Sequence, residues 1–193
     1  MVKHLRAAGH RRMPWKNGGG ETAEIAVHPE SAGLADFGWR VSMATVASDG
    51  PFSLFPGIDR TLAVLTGAGI RLDVEGLGTR RLTPASPPLP FPADAPAGAR
   101  LIDGTITDLN VMTRRGRYRH SLTPLTATGR QTLALATRWT LLMAVDALEA
   151  VTGEGTLRLA PLDVLVVEGA AQVTLAAANG TARCYRVAIE EEA

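Results

Sequence analysis

Trp39-Arg40-Val41-Ser42-Met43-Ala44-Thr45-Val46 places Trp39, Val41 and Met43 on one side and Arg40, Ser42 and Ala44 on the other. A period of two is that of a β-strand, whose successive side chains leave opposite faces. The same alternation runs upstream through residues 21–28, where Ala23, Ile25 and Val27 oppose Thr22, Glu24 and His28. Downstream, residues 60–65, 69–74, 107–113, 132–136, 164–167, 172–177 and 183–189 read as further strands. Twenty glycines and twelve prolines punctuate them, and many short strands at such spacing indicate a sandwich or barrel. The chain is therefore expected to be all-β.

Two stretches look like copies of one β unit. Thr61-Leu62-Ala63-Val64-Leu65 leads through glycines to Arg81-Leu82-Thr83-Pro84, and Thr140-Leu141-Leu142-Met143-Ala144 leads through glycines to Arg158-Leu159-Ala160-Pro161. Residues 141–150 are rich in helix formers, but this repeat makes them strand and hairpin. Two small units follow: residues 1–115, with the candidate pocket, and 116–193, with strands open to exchange between the halves. Residues 83–99 hold six of the twelve prolines and read as a surface connection.

Composition narrows the class. The 193 residues carry twenty basic and nineteen acidic side chains, a net charge of +1. Such a balance supplies no field for nucleic acid or an anionic membrane. The run Arg114-Arg115-Gly116-Arg117-Tyr118-Arg119-His120 reads as a solvated turn; the alternative, a nucleic-acid patch, has only Tyr118 as an interleaved aromatic and no support from net charge. The single cysteine, Cys184, rules out an intrachain disulfide and suits a buried position in a late strand. The charged start, with no apolar core segment, is unlike a signal peptide, and a cytoplasmic location is expected.

Four segments carry the chemistry. Met13-Pro14-Trp15-Lys16-Asn17-Gly18-Gly19-Gly20-Glu21-Thr22 is either a hairpin turn or an anion-binding nest of backbone N–H groups beside Lys16 and Trp15. Arg40 and Ser42 share a face, suited to a carboxylate, or belong to an ordinary half-exposed strand. In residues 49–60, Phe52 and Phe55 anchor a loop, while adjacent Asp59 and Arg60 must point to opposite faces. Asn110, Met112 and Arg114 share a face, either as a strand-locking hydrogen-bond pair or as a polar pocket wall. The four histidines, His4, His10, His28 and His120, do not lie at ligand spacing on one strand. No metal, cofactor or nucleophile motif is expected.

Together these segments resemble the HutD/Ves family of bacterial proteins. The resemblance rests on residues 13–22, Trp39-Arg40-Val41-Ser42, residues 50–60 and residues 108–115, and is mainly one of pattern beyond. It implies a metal-free bicupin, two β-barrel or jelly-roll units in one chain, and an association with histidine utilisation. It also implies a regulatory role through a small anionic intermediate, such as urocanate or a formylated glutamate, with no enzyme activity attached. The expected ligand-binding residues are Trp15, Lys16, Asn17, Gly18, Gly19, Thr22, Glu24, Arg40, Ser42, Phe55, Asp59, Arg60, Asn110 and Met112. The alternative is a metal-independent isomerase or lyase using Lys16 with Glu24 or Asp59 as acid–base groups. An exposed strand edge would offer a route to a homodimer.

Overall fold

The computed structural model describes residues 1–15 and 18–192, the side chains of Ala178 and Asn179 apart. The strands in chain order are β1 (Val2–Leu5), β2 (Arg11–Pro14), β3 (Gly20–His28), β4 (Trp39–Val46), β5 (Gly50–Pro51), β6 (Ile58–Thr66), β7 (Ile70–Val74), β8 (Gly78–Leu82) and β9 (Leu89–Pro92). They continue as β10 (Ala97–Leu101), β11 (Ile106–Arg114), β12 (Tyr118–Leu135), β13 (Trp139–Ala144), β14 (Leu148–Thr152), β15 (Gly155–Leu159), β16 (Val164–Glu168) and β17 (Ala171–Glu191). One 3-10 turn, Ala7–Gly9, is the only helical element among the described residues. None of their helices is therefore long and apolar enough to cross a membrane.

The chain divides into two compact units. Residues 11–119 with Glu192 form the first, and Met1–His10 with His120–Glu191 form the second. The opening strand thus serves the later unit, where β1 pairs antiparallel with β16. The first unit has a six-stranded sheet, β2-β3-β4-β11-β6-β9, and a four-stranded sheet, β5-β10-β7-β8. Ala44, Val46, Leu62, Val64 and Ile106 of the larger sheet share a core with Ile70, Leu72, Val74 and Ala99 of the smaller. The second unit has one seven-stranded sheet around a core that includes Leu142, Ala144, Leu148, Leu165 and Val173.

The two units share a pairing scheme. β6 pairs with β9 and β11, as β13 pairs with β16 and the later half of β17. β7 pairs with β8 and β10, as β14 pairs with β15 and the earlier half of β17. Three residues separate Thr66 from Ile70 and three separate Ala144 from Leu148, which sets Val64 in correspondence with Leu142. The alignment read from sequence, Thr61 onto Thr140, is one residue out. In a strand one residue exchanges the two faces: Leu62 lies in its unit's core cluster, whereas the interior cluster of the later unit takes Leu142 and Ala144.

The expected proline-rich surface connection is also partly strand. Leu89–Pro92 forms β9 on the edge of the six-stranded sheet, and Phe91 and Ala93 are buried. Pro90 and Pro92 fit there because an edge strand can dispense with outward N–H donors.

Candidate functional site

A cavity of about 560 Å³ lies in the first unit, against β4, β6 and β11. Register places its side chains in rows across the sheet. Arg40 on β4 faces Met112 on β11, which faces Arg60 on β6. The next row is Glu24, Ser42, Asn110 and Leu62, and the one after is Thr22, Ala44, Asp108 and Val64. Trp39, Val41 and Met43 occupy the opposite face of β4 and are themselves buried. The strand is therefore covered on both sides rather than half-exposed. The even-numbered residues bring chemistry to the cavity.

Arg40 is 5 % exposed and donates from Nε to Glu24 Oε2 at 2.7 Å. Its Nη1 lies 3.4 Å from Ser42 Oγ, a weak bond. Glu24 also lies 3.8 Å from Arg11. Glu24 does not line the cavity; it holds Arg40 in position from the side. Arg60 is 7 % exposed and donates to Asn110 Oδ1 from both Nε and Nη2, the Nε bond at 2.8 Å. Its guanidinium lies 4.6 Å from the ring centre of Phe52 and 5.6 Å from that of Phe91, close enough for cation–π attraction. Burial pulls the Arg60 pKa down to about 10, with Asp108 opposing the shift and Arg40 adding to it. At neutral pH the Arg60 guanidinium stays charged. No hydrogen bond to a described residue occupies Nη2 of Arg40 or Nη1 of Arg60.

Asp108 completes the polar wall. Asn110 Nδ2 donates to its Oδ1, which fixes the amide so that Asn110 Oδ1 faces Arg60. Asp108 is 1 % exposed and its Oδ2 has no hydrogen-bond partner. Burial raises its pKa to about 6, against the charge of Arg60, the bond from Asn110 and the pull of the nearby Ala44 N–H, which does not reach hydrogen-bond geometry with Oδ2. This wall thus offers two cationic donors, the Asp108 carboxylate and the Ser42 hydroxyl, and Asp49, Thr22, Ser48 and Ser53 add polar lining elsewhere in the cavity. Beside them, Trp15, Phe52, Phe55 and Met112 supply apolar wall. Leu34, 56 % exposed, sits at the rim.

Of the expected residues, Trp15, Thr22, Arg40, Ser42, Phe55, Arg60, Asn110 and Met112 line this cavity. Lys16 and Asn17 lie outside the described residues. Gly18 and Gly19 do not line it; they belong to the β2–β3 connection, where Gly18 N–H donates to Trp15 O at 3.0 Å and Gly19 O accepts from Ala47 N–H at 2.9 Å. Gly20 is the glycine that geometry demands. A Cβ there would meet Thr45 O at 2.2 Å and the Trp15 ring at 3.0 Å. Trp15 is held in place by its Nε1, which donates to Thr22 Oγ1 at 2.8 Å.

Asp59 is on the wrong side. It faces outward from β6 and pairs with Arg115 at 2.8 Å, both side chains nearly half exposed, because adjacent residues of a strand diverge. The acid–base alternative thus loses Asp59 as a cavity group, and Glu24 is engaged by Arg40. Arg114, expected beside Asn110, instead donates to the carbonyls of Phe37 and Ala35. Asp108, Phe52 and Met13 are among the lining residues that the sequence reading missed as site residues. For Asp108 the signal was present, two residues before Asn110 in the same alternation. For Phe52 it was absent, since a loop fold alone brings its ring over Arg60.

The fold and the cavity define a cupin-type all-β protein with an arginine-bearing interior. At the level of fold, a cupin barrel protein from Leptotrichia buccalis superposes with a TM-score of 0.61 at 10 % identity, over 88 % of each chain. The chain belongs to the HutD family, whose model matches residues 7–185. It is 38 % identical, over 86 % of each chain, to an uncharacterised 21.2 kDa protein of the hutC 3′ region of Pseudomonas putida. It is 41 % identical to Protein Ves of Citrobacter koseri over 55 % of this chain and 56 % of that one. The structure of HutD from Pseudomonas fluorescens SBW25 superposes with a TM-score of 0.84 at 32 % identity over all of both chains. A conserved protein of unknown function from Pseudomonas aeruginosa PAO1 gives 0.90 at 34 %, covering 98 % of this chain and 99 % of that one.

Proposed function

We propose that the first unit binds a small anionic intermediate of histidine or amino-acid catabolism, of the urocanate or formylated-glutamate class, and that the protein acts as a metabolite-responsive regulator rather than as an enzyme. The observation that carries this reading is the pair of buried guanidinium groups, Arg40 and Arg60, each lining the cavity with a nitrogen left over. A guanidinium held in place by Glu24 or by Asn110 has lost much of its rotamer entropy before any ligand arrives, which favours binding. A carboxylate is its natural complement. Charge-assisted bonds each contribute roughly 1.5–3 kcal/mol, so a pair supplies about 3–6 of the roughly 8 kcal/mol of a micromolar complex, and burial against the aromatic wall must supply the rest. The aromatic wall accommodates a planar or alkyl body.

Titration calorimetry with urocanate and with N-formylglutamate tests this. Saturable binding is expected for at least one, weakened tenfold or more in Arg40→Ala, with a melting curve run beside it to show that the variant is folded. No heat from either compound with the wild-type protein would remove this ligand class.

A further inference from the structure

One group in the cavity is not explained by an anion. Asp108 is almost fully buried, it lines the cavity, and one of its two oxygens meets no donor. A buried acceptor without a partner is expensive. In most interiors it would be replaced or satisfied. Here the scaffold spends effort on keeping it: Asn110 binds the other oxygen and is itself locked by Arg60. The three side chains form a line along one face, Arg60 to Asn110 to Asp108, with a cation at one end and a buried, unpartnered acceptor at the other.

We propose that Asp108 is the specificity-determining residue of this cavity: it requires the bound anion to carry a hydrogen-bond donor, an N–H or O–H, which sits on Asp108 Oδ2 while the anionic end meets Arg40 and Arg60. This rests on the anion reading above and deepens it. An anion lacking the donor leaves the carboxylate oxygen unpaired, or presses an acceptor of its own against it. Sites built around a buried polar group reject an isostere without the matching group far more strongly than apolar pockets reject a change of size.

The test compares ligands that differ only in the donor. 3-(Pyrrol-2-yl)acrylate and 3-(2-furyl)acrylate share shape and carboxylate; one has a ring N–H where the other has an oxygen. N-formylglutamate and 2-(formyloxy)glutarate, whose ester oxygen replaces the N–H, repeat the comparison on a flexible frame. At pH 8 the wild-type protein is expected to favour the donor-bearing member of at least one pair by thirtyfold or more. In Asp108→Asn the preference falls below threefold, while affinity for the donor-free member stays the same or rises. A merely structural Asp108 would lower both affinities together and leave the ratio unchanged, and that result overturns the proposal. The wild-type ratio stands without the variant, so equal binding within both pairs also overturns it, a water then satisfying Oδ2 in every complex. If no member of either pair binds, the anion reading itself fails and the proposal falls with it.

Discussion

The two units use one pairing scheme and fill it differently. Where the first unit sets Val64 beside Asp108 on its inner face, the second sets Leu142 beside Arg186. Where the first has Leu62 beside Asn110, the second has Thr140 beside Ala188. The second unit's hydrophobic cluster then runs through Leu142, Ala144, Leu165, Val167, Ala182 and Cys184, all small or apolar, with Arg186 as a charged neighbour whose Nε is buried without a partner among the described residues. Burial alone explains the thiol of Cys184, pushed up to about 11. A shared backbone topology thus supports a packed interior in one unit and a polar cavity in the other. The choice is made by a few inward side chains on the strands equivalent to β6 and β11. Stability is expected to concentrate in the second interior and ligand chemistry in the first.

The largest effect should come from the packed side. Leu142 is 1 % exposed, and Leu142→Ala removes buried methylene groups and leaves a void. Such changes cost about 2–5 kcal/mol. The expected outcome is a clear drop in the urea midpoint, with affinity for the Arg40-dependent ligand changed less than twofold. A large loss of affinity without loss of stability would mean that the division of labour between the units is wrong.

The polar side should respond with the opposite sign. Asp108 has a folded pKa of about 6 against a usual value of 3.8. Between those values the folded chain holds a proton that the unfolded chain has released. Wild-type stability therefore falls as pH rises from about 4 to 6 and stays low above that. Asp108→Asn removes the buried charge. It is expected to stabilise the ligand-free protein by about 3 kcal/mol at pH 8, with the gain nearly gone at pH 4, read from thermal melts at both values. A destabilised variant at pH 8 would show that the carboxylate is a structural anchor. A gain would mark it as a group retained against stability.

How much of this contrast could be read from the chain alone depends on the strand. On β4 the alternation of Arg40 and Ser42 with Trp39, Val41 and Met43 was plain, but not which set faces a cavity, since both faces are buried. On β6, opposite faces for Asp59 and Arg60 followed from the pleat. That Arg60 reaches Asn110, fifty residues away, follows only from the β6–β11 register. The repeat is visible as similar words, yet Thr61 and Thr140 are not equivalent, because the equal turn lengths after Thr66 and Ala144 set the correspondence one residue away. β9 was hidden by its prolines. Local periodicity is written in the sequence; partners across a sheet are set by long-range pairing.

The second unit has its own acidic anchor, which the comparison makes a useful counterweight to Asp108. Asp163 accepts from the N–H groups of Ala7 at 2.8 Å and Ala160 at 3.1 Å and bonds His4 Nε2 at 2.9 Å. Burial works to raise its pKa, and these three bonds together with the nearby His4 outweigh it, leaving the carboxyl below the usual value. The sign is the reverse of Asp108: the stabilisation is present above the unfolded value and is lost as pH falls through the folded one. Asp163→Asn is expected to cost about 1–2 kcal/mol from pH 5 to 8, the gap to wild type closing below pH 4. Guanidinium titrations at several pH values would show it, and a gap that widened in acid would contradict the assignment.

The smallest effect is expected at Asp59, and that is why it discriminates. Asp59 and Arg60 are neighbours in sequence, and a reading by proximity would treat them as one site. The structure instead joins Asp59 to Arg115, which Asp94 also binds, at 3.0 Å. Both carboxylates hold the guanidinium, so its pKa rises, and the Arg115 bond draws that of Asp94 down. These groups lie in water, where ion pairs are screened and contribute roughly 0.2–1 kcal/mol. Asp59→Asn should therefore lower stability by less than about 1 kcal/mol, and by less still in high salt. It should leave ligand affinity within twofold, whereas Arg60→Met, one residue along, should abolish measurable binding. Calorimetry on the two variants side by side reads the pleat of β6 directly. A tenfold loss in Asp59→Asn would place that carboxylate at the ligand and reinstate the acid–base reading that its outward position now argues against.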